Sequence, residues 1–180
     1  QNLFSKTHPH LSFTVQEERA GKQRVKEMSL PDDTPFVCFI GRDPAYLKAW
    51  HPEGNYDYHN YRNMDIKNFI PAVKELTQKG YFGIRMGSVV EESLNIKDSR
   101  YIDYATKYRT DFLDIYLCAK CHFFVNGMAG LDGVPRVLFR KPIVLVNYIP
   151  LLEFLKIYHG NSSEIIIIPK KLWHVKDRRF

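Results

Sequence analysis

The chain has 180 residues, 44% hydrophobic and 14% aromatic, which suits a single domain with a sizeable core and excludes intrinsic disorder. Its 26 Lys and Arg against 20 Asp and Glu leave a formal charge of +6. That balance fits a polyanionic partner, whether nucleic acid, a phosphorylated metabolite or an anionic membrane surface. No apolar run approaches the length of a membrane span, and 3 cysteines are too few for a disulfide scaffold. A cytoplasmic setting is expected, with peripheral contact to the inner membrane left open. The opening Gln1-Asn2-Leu3-Phe4 carries neither a secretory signal nor an initiator Met, so a piece of a longer protein is expected.

In chain order, residues 1–34 read as an approach segment, the remnant of or linker from a missing N-terminal domain. Within it, Thr14 and Glu17 form a capping box that opens a helix, and Gly21 argues against a long one. Phe36 to Ile40 is an apolar run of strand length, suited to a parallel sheet covered on both faces. Residues 41–65 read as a long polar loop. Ile66, Phe69, Ile70, Val73 and Leu76 then recur at helical spacing up to Gly80. Tyr81 to Gly87 reads as the second strand and Tyr101 to Tyr104 as a short third. Thr110 or Asp111 opens the next helix, and His122 to Val125 forms the fourth strand. Leu131 to Phe139 reads as a short helix despite Pro135, and Pro142 to Val146 as the fifth strand. Ile165 to Ile168 would be the sixth, with a last helical turn around Lys171 to Trp173. Alternating strands and helices predict residues 35–180 to be a three-layer α/β sandwich, Rossmann-like and doubly wound, with a mostly parallel sheet of five to six strands.

Open parallel sheets hold ligands beyond the carboxyl ends of their strands, where the strand order reverses. The residues just after each strand are therefore the informative ones: Arg42 and Asp43 after the first, Arg85 ending the second, and Asn126, Gly127 and Gly130 after the fourth. A glycine turn that opens a helix lets backbone N–H groups approach a phosphate, and arginines add bidentate bonds to the same oxygens. Taken singly, a strand-end arginine is merely solvated; together the three elements point to an anion. Gly127 and Gly130 match neither the dinucleotide fingerprint nor a P-loop.

The densest polar cluster is His59-Asn60-Tyr61-Arg62-Asn63-Met64-Asp65. Arg62 is the candidate for holding a diphosphate, and His59 for moving a proton. Asp65 either caps the next helix, the preferred reading, or orients Arg62. Asp132 is a candidate ribose contact or a surface cap. Tyr46, Tyr56, Tyr58 and Tyr61, beside Trp50, suit either stacking on a base or sugar or packing on one another. Cys118 and Cys121 lack a second pair at zinc spacing and read as core; no metal site and no cofactor are expected. Nucleic acid is the least favoured partner, because no RNP motif or basic helix is present.

These motifs in order, Phe36-Val37-Cys38-Phe39-Ile40-Gly41-Arg42-Asp43, then His59 to Asp65, then Gly80 to Gly87, resemble a family of bacterial glycosyltransferases. The likeness continues through Ile102 to Ala105, Thr110 to Leu117, Phe123 to Val125, and Gly130-Leu131, with Pro142 and Asn147, and covers roughly residues 12–150. The His-x-x-Arg-x-x-Asp element is also remotely similar to the arginine motif of fucosyltransferases, which usually holds His and Arg two apart rather than three. The resemblance implies the GT-B architecture, with this chain as the C-terminal, donor-binding half of a metal-independent enzyme. It implies a nucleotide-diphospho-sugar donor and a cell-surface polysaccharide or lipid-linked acceptor. His59, Arg62 and Asp65 would be the catalytic set, with Arg42, Asp43, Arg85, Asn126, Gly127, Gly130 and Asp132 on the donor. The alternative is a non-catalytic nucleotide- or partner-binding module.

Overall fold

The computed structural model describes residues 7–149, 165–171 and 174–178. Among them, six strands form one all-parallel sheet: β1 (Phe36–Gly41), β2 (Phe82–Arg85), β3 (Tyr101–Ile102), β4 (Phe123–Gly127), β5 (Ile143–Tyr148) and β6 (Ile165–Pro169). The strand order is β3-β2-β1-β4-β5-β6, the doubly wound Rossmann order, so the chain reverses direction across the sheet between β1 and β4. Helices α1 (Val15–Glu27), α2 (Ala45–Trp50), α3 (Ile70–Gln78), α4 (Tyr104–Lys107) and α5 (Asp111–Lys120) supply the outer layers. The expected three-layer architecture is the one observed.

The core lies on both faces of the sheet. On one, Cys38, Ile84, Phe124, Ile143 and Leu145 pack with Leu113 and Leu117 of α5. On the other, Phe39 meets Phe69 and Val73 at the start of α3. All three cysteines are buried free thiols in this core, where burial pushes the Cys38 thiol well above its ordinary range. The sheet is less covered towards β6, where Ile166 and Ile168 are exposed. No helix among the described residues is long and apolar enough to cross a membrane.

Several boundaries differ from the sequence reading, each for a physical reason. Helix α1 starts at the expected capping box, with Thr14 accepting from Glu17, but it runs through Gly21 instead of stopping there. The missing side chain is what lets α1 sit against the ring of Tyr116 on α5: a Cβ at Gly21 would lie 2.3 Å from Tyr116 Cε2. Glycine to alanine inside a helix usually gains about 1 kcal/mol. At Gly21 the sign should reverse, because the Tyr116 ring is buried and its hydroxyl donates to Glu18 at 3.2 Å. We expect Gly21→Ala to lower stability by about 1–3 kcal/mol, read as an earlier denaturation midpoint. An unchanged or later midpoint would mean that α1 is free to shift off α5.

The third strand is only Tyr101–Ile102, since Tyr104 already begins α4. Residues 41–65 are not one loop: α2 and a 3-10 helix over Asp57–Arg62 divide them. Asp65 caps the following 3-10 turn, Ile66–Phe69, by accepting from the Lys67 N–H at 2.8 Å, and α3 ends at Gln78, with Gly80 turning the chain away at φ 91°. The expected helix over Leu131–Phe139 is instead a 3-10 turn, Gly130–Asp132, followed by a π turn, Val134–Leu138. Pro135 has no N–H to donate, and Phe139 N–H reaches back to the Val134 carbonyl at 3.3 Å. Most of the expected last turn, residues 172 and 173, lies outside the described residues.

Candidate functional site

The reversal point brings Gly41 beside Gly127. Glycine suits this approach, since a Cβ at Gly127 would stand 2.2 Å from Met64 Sδ, 3.1 Å from the Ile40 carbonyl and 3.3 Å from Gly41 Cα. Asn126 and Gly127 therefore belong to the paired end of β4 rather than to the turn after it. Past this pair, Arg42 N–H donates to Gly127 O at 3.0 Å, and Met64 N–H donates to Arg42 O at 3.0 Å. The backbone of 41–43 is thus clamped between β4 and the Arg62–Asp65 segment.

Arg62 reaches across to the turn after β4, donating from Nη2 to Met128 O at 3.1 Å. Met128 holds that carbonyl with a left-handed backbone, φ 63°, a conformation costly for a non-glycine residue and concentrated at functional sites. Asn126 braces the same turn from beneath. Its Nδ2 donates to Ala129 O and its Oδ1 accepts from Ala129 N–H, both at 3.0 Å. Two further residues fix the Arg62 segment by its backbone: Asn147 donates to Arg62 O at 3.2 Å and Lys170 to Tyr61 O at 2.7 Å. Asn147, at φ 61° beside a register shift in β5, and Lys170, just after β6, place the carboxyl ends of four strands around one cluster.

That cluster is cationic. Burial and the nearby Arg62 lower the Arg42 pKa from its usual range, and partial burial with Arg62 and Arg42 lowers that of His59. Both effects favour the neutral imidazole of His59, the form able to accept a proton. The Nε of Arg42, the Nε of Arg62 and the Nδ1 of His59 are all buried without a hydrogen-bond partner. Two unpaired guanidinium donors and an imidazole meeting on one rim form an arrangement that an oxyanion would satisfy. The π and 3-10 turns after Met128 remove the helix dipole expected to assist them. Gly130 is exposed at that turn, and Asp132 lies 3.9 Å from Arg136.

On the other flank of β1 lies a different environment. Asp43 follows Arg42 but turns towards β2, accepting from Ala45 N–H at 2.9 Å and from Glu91 N–H at 3.5 Å. Burial raises its pKa from the usual carboxylate value. Arg85 does not stand on the rim as the sequence reading had it. Its side chain is 2% exposed, 3.5 Å from Asp103 Oδ2, and it donates to Glu92 O at 2.6 Å. Asp43, Arg85, Asn63 and Asp65 line a pocket of about 370 Å³. Asp65 is committed to its cap and makes no recorded bond to Arg62. The loop aromatics pack on one another, Tyr46 with Trp50 at 6.0 Å and Tyr58 with His59 at 4.1 Å. Among the described residues no group of His, Cys, Asp and Glu is arranged to hold a metal.

No family model and no curated protein matches the chain. Among solved structures, that of E. coli ADP-heptose LPS heptosyltransferase II is similar, with a TM-score of 0.55 and 16% identity. The two share an α/β Rossmann-like fold. The likeness covers 88% of this chain and 44% of that one, so the chain spans less than half the length of that enzyme. At this identity it concerns the fold and lends no support to the fucosyltransferase arginine motif.

Proposed function

We propose that this chain is the donor-binding domain of a GT-B glycosyltransferase, holding the diphosphate of a nucleotide-sugar at the reversal point between β1 and β4. The observation that carries this reading is the convergence of Arg42, Arg62 and His59, each with a buried, unpartnered nitrogen, around the Gly127–Met128 turn. Negative charge builds on the diphosphate as the glycosidic bond breaks, and fixed guanidinium donors stabilise that charge without reorganising. Asn126 and Gly127 shape the turn, and Asn147 and Lys170 keep Arg62 in place. The acceptor would be a cell-surface polysaccharide or a lipid-linked glycan.

With Asp65 committed to its cap, His59 is the proton acceptor that this cluster itself offers. A second reading, favoured by the commitment of Asp65 to its cap, is a module that binds the donor without turning it over. Titration with ADP, GDP and UDP tests the site: one of them should saturate the protein below millimolar concentration. Arg62→Ala should weaken that binding about ten- to a hundredfold, the worth of one charge-assisted bond, with thermal stability nearly unchanged. No saturation by any of the three overturns the site, and equal affinity of Arg62→Ala removes Arg62 from it. Release of free nucleoside diphosphate from a bound nucleotide-sugar decides between enzyme and module.

A further inference from the structure

The pocket on the β2 flank of β1 is chemically unlike the cationic cluster on the other flank. At about 370 Å³ it falls within the roughly 300–1,000 Å³ of small-molecule sites. Two buried polar atoms of its lining lack partners: the Nε of Arg85, a donor, and the Oδ1 of Asn63, an acceptor. Asp43 adds a half-buried carboxylate whose two oxygens each accept one backbone N–H and keep a free lone pair. Hydroxyl groups match both orphans chemically, as donors to Asn63 and as acceptors from Arg85. A cation would leave Arg85 Nε unpaired.

An anion is opposed by the charge of the wall. Asp43, Asp65, Glu91 and Glu92 all line the pocket. Glu91 is paired with Lys48 at 3.4 Å and Glu92 with Lys67 at 2.9 Å, and Arg85 is already shared with Asp103. Arg42 and Arg85 act on Asp43 and Lys67 acts on Asp65, but four carboxylates against one guanidinium still make the lining acidic. Arg42 N–H is tied to the β4 flank and Asp43, the next residue, lines the pocket on the β2 flank, so the two sites adjoin along the chain.

We infer that the pocket lined by Asp43, Asn63 and Arg85 binds the neutral, polyhydroxylated ring of the donor sugar and rejects rings that carry a carboxylate. This rests on the diphosphate reading above and adds the class of sugar to it. The test compares matched donors that differ only at that carboxylate: UDP-glucose against UDP-glucuronate, and GDP-mannose against GDP-mannuronate, each beside its bare nucleoside diphosphate. For the nucleotide that binds, the neutral sugar should tighten binding at least about tenfold over the bare diphosphate, and the uronate should not. Asp43→Asn should shrink that gain and admit the uronate, while the bare diphosphate binds as before. Asn63→Ala, which leaves the wall charge intact, should shrink the gain and still exclude the uronate.

If the bare diphosphate binds but the neutral sugar adds nothing, or the uronate binds as well as the neutral sugar, the pocket assignment is overturned and the diphosphate site stands. A gain untouched in both variants overturns it equally. If none of ADP, GDP and UDP binds, both assignments fall together.

Discussion

Removing the carboxylate of Asp103 should cost about 3–5 kcal/mol of folding stability, because it strands a buried guanidinium. The side chains of Arg85 and Asp103 are 2% and 3% exposed, so water cannot take over for a missing partner. Asp103 Oδ2 also accepts the Leu94 N–H at 2.9 Å, which ties the 86–94 connection to the end of β3. Asp103→Asn keeps the shape and removes the charge; Asp103→Leu removes both. Each should shift a urea midpoint strongly downward, Asp103→Leu the more because the Leu94 N–H is then stranded too. The pair taken as a unit is a different matter. Two charges withdrawn from water gain little over apolar side chains of similar volume, so Arg85→Met with Asp103→Leu should recover much of the loss. Single variants that lose less than about 1 kcal/mol, in the range of an exposed ion pair, would show the pair to be hydrated.

Arg85 also marks the limit of what the sequence could disclose. The alternation of elements was legible because apolar periodicity and the caps at Thr14, Asp65 and Thr110 report local structure, and all six strands fall within two residues of their expected ends. That alternation predicts a doubly wound sheet, and with it the strand-end candidates Arg42 and Gly127; the order β3-β2-β1-β4-β5-β6 is set by pairing that it does not specify. Whether a strand-end arginine faces solvent or the interior depends on a partner elsewhere in the chain. Asp103, in a stretch that read as strand, gave no sign that it would be that partner.

The misread segments share a physical cause. The spacing of Leu131, Val134 and Leu138 suits a helix, but one missing N–H at Pro135 is enough to turn the hydrogen bonding into a π turn. Gly21 was read for its propensity when its role is steric. Asn147 and Lys170 were not singled out as site residues, although one signal was present: an asparagine within the run Val146-Asn147-Tyr148 is the residue type that tolerates a left-handed backbone, and that backbone is where it sits. Lys170 carried no such mark.

The second large effect concerns the two arginines at the reversal point. Arg42→Ala and Arg62→Ala together should weaken nucleoside diphosphate binding by about 10²–10⁴-fold, since each charge-assisted bond contributes roughly 1.5–3 kcal/mol. Stability should move the other way or not at all. The Arg62 charge opposes that of Arg42 in the folded chain, so removing both relieves a repulsion while giving up one bond, Arg62 to Met128 O. A loss of binding without a loss of stability is what a site maintained for a ligand would show. A pair of arginines that merely supports the turn would give the reverse, a lower melting temperature with binding little changed. The single variants complete a cycle. If both guanidinium groups grip one diphosphate, their effects should be coupled by about 0.5–3 kcal/mol, as for groups sharing a partner. Strict additivity would mean that they contact separate anions, and the diphosphate would then have to be moved off one of them.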